Sequence, residues 1–321
     1  MLNSQQKIGL VQVDGKLPNL ALMQICAYHE SLGDSVEWFK GILFQHEYDK
    51  VYASKIFQFS TLPSLPKDAL IGGTGIDFFN TLPSEITAFQ PSYSLYPDCD
   101  FHLGFSMKGC RFRCKFCCVP TKEGKPHANS TIDDLLINPN GKNKLMLLDN
   151  DFFGVPNWNI NLERIIELKL KVCFMQGLNI RILKDEQAEL LAQCNYRNST
   201  FKKHDLTFAW DRFQDERLII AGIERCVRYG IKPENMQFFV LIGYDTTPEQ
   251  DLYRVEFLRK LGCKPYAMPY NKFDDYQKRF ARWVNHRAIF KTVKWEDYGK
   301  SLKKQTSRQE KPLFENFLPN V

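Results

Sequence analysis

The chain has 321 residues, of which 44% are hydrophobic and 25% charged, the composition of an ordinary globular protein of one large or two smaller domains. Its net charge of +6 and pI of about 8.7 fit a solvated surface with a slight lysine bias and do not indicate a nucleic-acid partner. The sequence has no apolar run of membrane-spanning length and no signal-peptide pattern, so we expect a cytoplasmic protein without a membrane partner.

The first part of the chain alternates apolar strand patterns with crossover segments. A helix opened by Pro18 and closed by Gly33 follows the first strand. The strand patterns cover residues 7–14, 35–39, 50–54 and 68–73. This alternation predicts a small Rossmann-like α/β domain with a partly parallel sheet at residues 1–95. A Pro, Ser and Tyr-rich stretch at 81–98 predicts the connector to the next domain.

From residue 96 to 290, strand and helix patterns alternate six times. Ser130 followed by Asp133 resembles a capping box, and a later helix begins at Thr247–Pro248 and ends at Gly262. The six strand patterns cover residues 101–107, 144–150, 171–177, 205–211, 235–243 and 263–270. Six βα units are too many for a small open sheet and fewer than the eight of a full barrel. The predicted fold is therefore α/β, with a partial (βα)6 TIM-like barrel at 96–290 and a charged tail at 291–321.

The ten cysteines divide into two groups. Six are single and typical of small buried hydrophobes: Cys26, Cys99, Cys173, Cys194, Cys226 and Cys263. The other four lie within nine residues, where Cys110, Cys114 and Cys117 form C-x3-C-x2-C in a glycine-flanked loop after the first barrel strand. Thiolates are the protein ligands of iron–sulfur clusters. Three of them on a four-iron cluster leave one iron open for a cofactor or substrate.

This spacing, with Phe116 directly before the last cysteine, resembles the signature of the radical S-adenosylmethionine (radical SAM) superfamily. The stretch from Cys110 to Gly124 is similar to the branch with an N-terminal cobalamin-binding-type domain. The resemblance implies a [4Fe–4S] cluster on Cys110, Cys114 and Cys117 that binds and reductively cleaves S-adenosyl-L-methionine. An external electron donor of the flavodoxin or ferredoxin type supplies the electron. The 5′-deoxyadenosyl radical then abstracts a hydrogen from an unknown substrate.

The resemblance also implies that residues at the carboxyl ends of the barrel strands bind S-adenosylmethionine. Asn150 and Asp151, next to Asp149, are the candidates for the methionyl amine. The others are Asn179 and Arg181 for the carboxylate and ribose, Asp211 for the ribose or substrate, and Gly243 along the adenine. Structural alternatives exist: turn formation for Asn150 and Asp151, a helix N-cap for Asp211, and a tight turn at Gly243. No catalytic residue is assigned.

Zinc binding is the main alternative for the cysteines. Zinc requires a fourth ligand, for which Cys118, His102 or His127 lie nearby in the sequence. Zinc sites typically use two C-x2-C pairs, and no second pair follows Cys114 and Cys117 in the sequence, so a non-catalytic zinc- or cluster-binding module is the weaker hypothesis.

Cobalamin is a further possible cofactor. The glycines of GGTG at 72–75 are typical of a turn that approaches the cobalamin tail, because glycine permits close backbone approach. Asp100-x-His102 resembles the start of D-x-H-x-x-G, but the glycine is one position early and the segment belongs to a barrel strand. Two hypotheses follow: a cobalamin-dependent radical methyltransferase, or a vestigial N-terminal domain. Methylthio transfer is disfavoured because only two cysteines precede the signature.

Overall fold

The computed structural model of the chain describes residues 5–298, which divide into two compact units. The first unit contains the residues up to Leu178 together with Gln193–His204, and the second contains Asn179–Ala192 and the residues from Asp205 onward. None of the helices between residues 5 and 298 has the length and apolar character needed to cross a bilayer. The domain boundaries after residues 95 and 290 stay predictions.

The secondary structure alternates strands and helices along the chain. The strands are β1 (Lys7–Gln12), β2 (Ser35–Trp38), β3 (Lys50–Ser54), β4 (Leu70–Gly72), β5 (His102–Gly104), β6 (Met107–Lys108), β7 (His127–Ala128), β8 (Lys144–Leu147), β9 (Lys171–Phe174), β10 (Asn195–Tyr196), β11 (Leu206–Ala209), β12 (Met236–Ile242) and β13 (Lys264–Pro269). The α-helices are α1 (Leu20–Ser31), α2 (Ser84–Thr87), α3 (Val119–Lys122), α4 (Ile132–Leu135), α5 (Trp158–Glu167), α6 (Asp185–Gln193), α7 (Glu216–Arg228), α8 (Pro248–Lys260), α9 (Asp275–Asn285) and α10 (Arg287–Thr292).

Short 3-10 helices complete these elements. They cover Ile42–Glu47, Phe152–Gly154, Ile180–Ile182, Phe213–Asp215, Pro233–Asn235 and Trp295–Asp297. The last of them, with the end of α10, accounts for the described part of the predicted tail. The remainder of that tail, residues 299–321, lies outside the described residues.

The N-terminal sheet of the first unit is wholly parallel, with the strand order β2-β1-β3-β4. All four predicted strands form. Helix α1 buries Leu22 and Ile25 in one apolar cluster with Ile8 and Leu10 of β1. The helix begins after Asn19, whose side chain accepts a hydrogen bond from the Leu22 N–H. The prediction that Pro18 opens this helix from within its first turn was therefore wrong, since Pro18 precedes the N-cap residue Asn19.

A second parallel sheet, also in the first unit, has the strand order β10-β9-β8-β5. It contains the first three predicted barrel strands and the additional two-residue strand β10. Leu103, Met146 and Cys173 come from three adjacent strands and share one buried cluster. The capping box before α4 uses Thr131 and Asp134, one residue later than predicted, because the Thr131 hydroxyl accepts from the Asp134 N–H.

The second unit contains the parallel sheet β11-β12-β13, made of the last three predicted barrel strands. Side chains of the central strand β12 alternate between buried and half-buried positions. Helix α8 begins at the Thr247 N-cap with a capping box to Gln250, as the sequence predicted for its start. The chain is thus α/β with mostly parallel sheets, and all six predicted strands form in two consecutive groups of three.

Candidate functional site

The three cysteines lie in a loop that an antiparallel two-residue ladder closes. Met107 of β6 pairs with Ala128 of β7, and Lys108 pairs with His127. Gly109 follows with a φ of +80°, and a Cβ there would collide with the Lys125 carbonyl oxygen. The Cys110 N–H donates to the Gly124 carbonyl oxygen at 3.2 Å. We call residues 106–124, which contain all three cysteines, the cysteine segment.

The three cysteines are each half-buried. The Phe112 N–H points at Cys110 Sγ at 3.5 Å, and the Cys117 N–H donates to the Cys114 carbonyl oxygen at 2.9 Å. Burial, together with negative charge on Asp151, Cys117 and Cys114, raises the pKa of the Cys110 thiol to about 11. The three sulfurs therefore lie within electrostatic reach of one another, and their thiolate forms favour a bound cation.

Between residues 5 and 298, no three or more His, Cys, Asp and Glu side chains converge as ligands of one metal ion. A structural zinc site requires such convergence on a single atom. In a four-iron cluster each thiolate binds a different iron, so the donor set can be more widely spaced. The chemistry of these residues therefore fits a four-iron cluster: one loop supplies three thiols, and a peptide N–H is directed at one of the sulfurs.

The other candidate residues that lie close to the cysteines in the sequence occupy different elements. Phe116 is half-buried, and Cys118 is the N-cap residue of α3. His127 is exposed in β7. His102 lies buried in β5, where its Nδ1 accepts from the Asn138 N–H at 3.2 Å and burial lowers its pKa. The position of His102 in a strand of the second sheet agrees with setting aside the D-x-H-x-x-G resemblance.

Three consecutive residues after β8 reach the cysteine segment. Asp149 is only 4% exposed and accepts from the Ser106 N–H at 2.8 Å and from the Ser106 hydroxyl. Burial raises the pKa of Asp149 to about 7. Asn150 donates from Nδ2 to Glu123 Oε2 at 3.0 Å. The residues after β8, the second predicted barrel strand, are thus joined to the cysteine segment, which follows β5. This is expected because the carboxyl ends of parallel strands lie at the same edge of the sheet.

Asp151 is 5% exposed and forms a bidentate ion pair with Arg111 of the cysteine segment. Its Oδ2 accepts from Arg111 Nε at 2.7 Å and its Oδ1 from Arg111 Nη2 at 2.8 Å. The Arg111 peptide N–H also donates to Oδ2, at 3.1 Å. The structure thus gives the Asp151 carboxylate a partner within the chain, and the predicted contacts of Asn150 and Asp151 with the methionyl amine stay predictions.

The second unit holds the other predicted residues. Asn179 is the N-cap of the 3-10 helix after β9, and its side-chain oxygen accepts from Arg181 Nε at 3.0 Å. Arg181 also forms an ion pair with Asp215 at 2.8 Å. Asp211 follows β11, where burial raises its pKa to about 6 against the opposing charges of Arg181 and Arg254. Asn179, Arg181 and Asp211 therefore form one neighbourhood.

Arg254 is the residue of this neighbourhood that the sequence analysis missed. It is fully buried. It donates to the carbonyl oxygen of Trp210, just after β11, at 2.8 Å, and to that of Leu241 in β12 at 2.7 Å. Its ion-pair partner is Asp251, one turn earlier in α8, at 2.7 Å. Arg254 and its neighbour Val255 both lie on the buried face of α8. A charged residue beside the apolar positions of a helix was the sequence signal that could have identified Arg254.

Gly243 directly follows β12 with a φ of +71°, and a Cβ there would overlap the side chain of buried Gln277. The Gln277 side chain in turn accepts from the Asn271 N–H at 2.8 Å. Gly243 therefore has a turn-forming and packing role, as its structural alternative predicted, and its contact with adenine stays a prediction.

The GGTG segment begins at Gly72, the last residue of β4. A Cβ on Gly73 would collide with the backbone of Lys55, and one on Gly75 with the backbone of Phe57 at 2.7 Å. Lys122 of the cysteine segment donates to the Thr74 hydroxyl. Internal backbone packing thus accounts for these two glycines, and cobalamin binding stays a prediction.

No model of a known protein family matches the chain, and no curated protein matches its sequence.

Proposed function

We propose that the chain is a radical SAM enzyme that uses a [4Fe–4S] cluster on Cys110, Cys114 and Cys117 to generate a 5′-deoxyadenosyl radical. The radical abstracts a hydrogen from a substrate that we leave unassigned. The observation that supports this most is the half-buried C-x3-C-x2-C segment, closed by the β6–β7 ladder directly after β5. Three thiols of one short loop that repel one another as anions make a donor set for a multi-iron cation.

We propose further that the six strands β5, β8, β9, β11, β12 and β13 belong to one partial (βα)6 barrel. Their order along the chain, their parallel pairing within each sheet, and the helices between them support this. The candidate site residues follow the carboxyl ends of these strands, where barrels of this class carry their active sites.

The chain's own residues divide the work in this proposal. The three cysteines hold the cluster, and the group when bound supplies the low-potential electron that cleaves S-adenosylmethionine. Arg181 and Asp211 carry opposite charges in one neighbourhood and are suited to the carboxylate and hydroxyl groups of the cofactor. The proposed cofactor-binding set is completed by Phe116, Asn150, Asp151, Asn179 and Gly243. A flavodoxin or ferredoxin in the cytoplasm is the proposed electron source.

Anaerobic reconstitution with iron and sulfide tests the proposal. We expect about four irons per chain, absorbance near ~400 nm, and 5′-deoxyadenosine after addition of dithionite and S-adenosylmethionine. Cys114→Ala removes a ligand and abolishes all three signals, whereas Cys118→Ala leaves them unchanged. A wild-type protein that binds one zinc and no iron refutes the enzyme proposal and favours the non-catalytic module.

A further inference from the structure

Asp149, Asn150 and Asp151 follow one strand and bind three different points of the cysteine segment. We call these three residues the strand-end clamp. We infer that the strand-end clamp orders the cysteine segment before a cluster is assembled, and that Asp151 is a positioning residue acting through Arg111. This inference rests on the proposed function, because it assigns the clamp's purpose to the cluster that the segment would hold.

The contacts of Asp151 support a positioning role. Both of its oxygens accept hydrogen bonds from Arg111, and Oδ2 accepts a second one from the Arg111 peptide N–H. A bidentate pair of this kind fixes orientation as well as distance. Because Arg111 directly follows Cys110, the pair fixes the backbone on the carboxyl side of the first proposed ligand.

Glu123 supplies the second fixed point. Its Oε2 accepts from the Gly109 N–H at 2.9 Å and from Asn150 Nδ2 at 3.0 Å. Gly109 and Glu123 lie just before and just after the cysteines, so one carboxylate joins the two ends of the ligand-bearing turn. Asn150 then attaches this joint to the end of β8. The third point is Asp149, which binds the Ser106 N–H at the start of the segment.

Ordering of this kind changes how tightly a cluster is held. A flexible loop loses conformational freedom when it binds a metal, and this lost backbone entropy opposes binding. A loop that is already ordered avoids part of that loss, so its metal affinity is higher. The clamp variants should therefore weaken cluster binding while leaving all three thiolates in place.

The test compares Asp151→Asn and Arg111→Gln with the matched control Asp133→Asn. Asp133 forms a bidentate ion pair with Arg164 in the same unit, at 2.9 and 3.0 Å, away from the cysteine segment. Amide hydrogen exchange of the full cluster-free chain is measured first, because it reports local order without any metal. We expect exchange at Arg111 and its neighbours to be about tenfold faster in both clamp variants and unchanged in the control.

Iron content after anaerobic reconstitution is the second measurement. At limiting iron and sulfide we expect the two clamp variants to hold several-fold less iron than wild type, and to recover at higher iron and sulfide concentrations. Cys114→Ala should not recover. Exchange rates in the cysteine segment that match wild type overturn the inference, as does an iron content that matches wild type at every concentration.

The failure of the inference differs from the failure of the proposed function. If wild type binds no iron, the proposed function and the clamp's role in cluster assembly are both overturned. The exchange comparison still decides whether the clamp orders the segment. If wild type binds iron and the clamp variants behave as Asp133→Asn does, only the clamp inference is overturned.

Discussion

The buried carboxyl of Asp149 gives the sharpest prediction about stability. Burial raises its pKa from 3.8 to about 7, so the folded chain keeps a proton that the unfolded chain releases near pH 4. A raised folded-state pKa contributes stability that is fully present below the unfolded pKa and is lost as the pH rises through the folded pKa. For Asp149 that window extends from about pH 4 to about pH 7.

The substitution Asp149→Asn removes this loss. Asparagine keeps the oxygen that accepts from the Ser106 N–H at 2.8 Å and adds a donor toward the Ser106 hydroxyl. One proton difference changes the free energy of unfolding by about 1.4 kcal/mol per pH unit. Because the difference falls below one proton near pH 7, we expect the stability of wild type relative to Asp149→Asn to drop by about 2 kcal/mol between pH 5 and 7.

Urea unfolding of the cluster-free proteins at pH 5, 6 and 7 measures this difference. The control is Asp134→Asn, since hydrogen bonds from Thr131 lower the pKa of the exposed Asp134 carboxyl and confine its effect to pH values below about 4. Its difference from wild type should stay constant over the same range. A constant difference for Asp149→Asn as well would show that Asp149 is already ionised at pH 5, and it would refute the argument from burial.

Two further substitutions test the second unit. Arg254→Met leaves the fully buried Asp251 without its ion-pair partner and should lower the free energy of unfolding by about 3–5 kcal/mol, measured by urea unfolding. Gly243→Ala forces a side chain into left-handed backbone and against a buried glutamine, so it should cost more than Gly230→Ala. Gly230 has a φ of +92° with no neighbour within 4 Å of an added Cβ, so there only the strain of about 1–2 kcal/mol applies. Equal thermal shifts for the two glycine variants would contradict the packing argument.

Much of the secondary structure was predictable because buried parallel strands have continuous apolar sequences. The pattern at 50–54 corresponds to β3 residue for residue, and most other predicted strands differ only at their ends. The pattern at 101–107 was predicted as one strand, but it contains β5 and the first residue of the separate strand β6. The two-residue strand β10 has too short a pattern to be recognised. The capping box was misplaced by one residue because Ser130–Asp133 and Thr131–Asp134 have the same spacing, and only the backbone geometry distinguishes them.

The site was less predictable because its contacts join distant parts of the sequence. The acidic residues after β8 suggested a cationic ligand from charge alone. The hydrogen-bond partners of Asp149 and Asp151 lie 40 or more residues earlier in the chain, and the partner of Asn150 lies 27 residues earlier. Local patterns carry no information about such pairings, which depend on how the cysteine segment folds back onto the sheet. The spacing of the cysteines is a local pattern, so it could be recognised from the sequence alone.

The strand-end carboxylates therefore divide into different chemical roles. Asp151 is paired with Arg111, and Asp149 stays partly protonated near neutral pH because burial dominates its surroundings. Burial also raises the pKa of Asp211, but the positive charges of Arg181 and Arg254 oppose this effect and keep the pKa at about 6. At pH 7 Asp211 is thus mainly ionised. Asp211 therefore combines a negative charge with a place after a strand end, which supports the proposal that it contacts the ribose or the substrate.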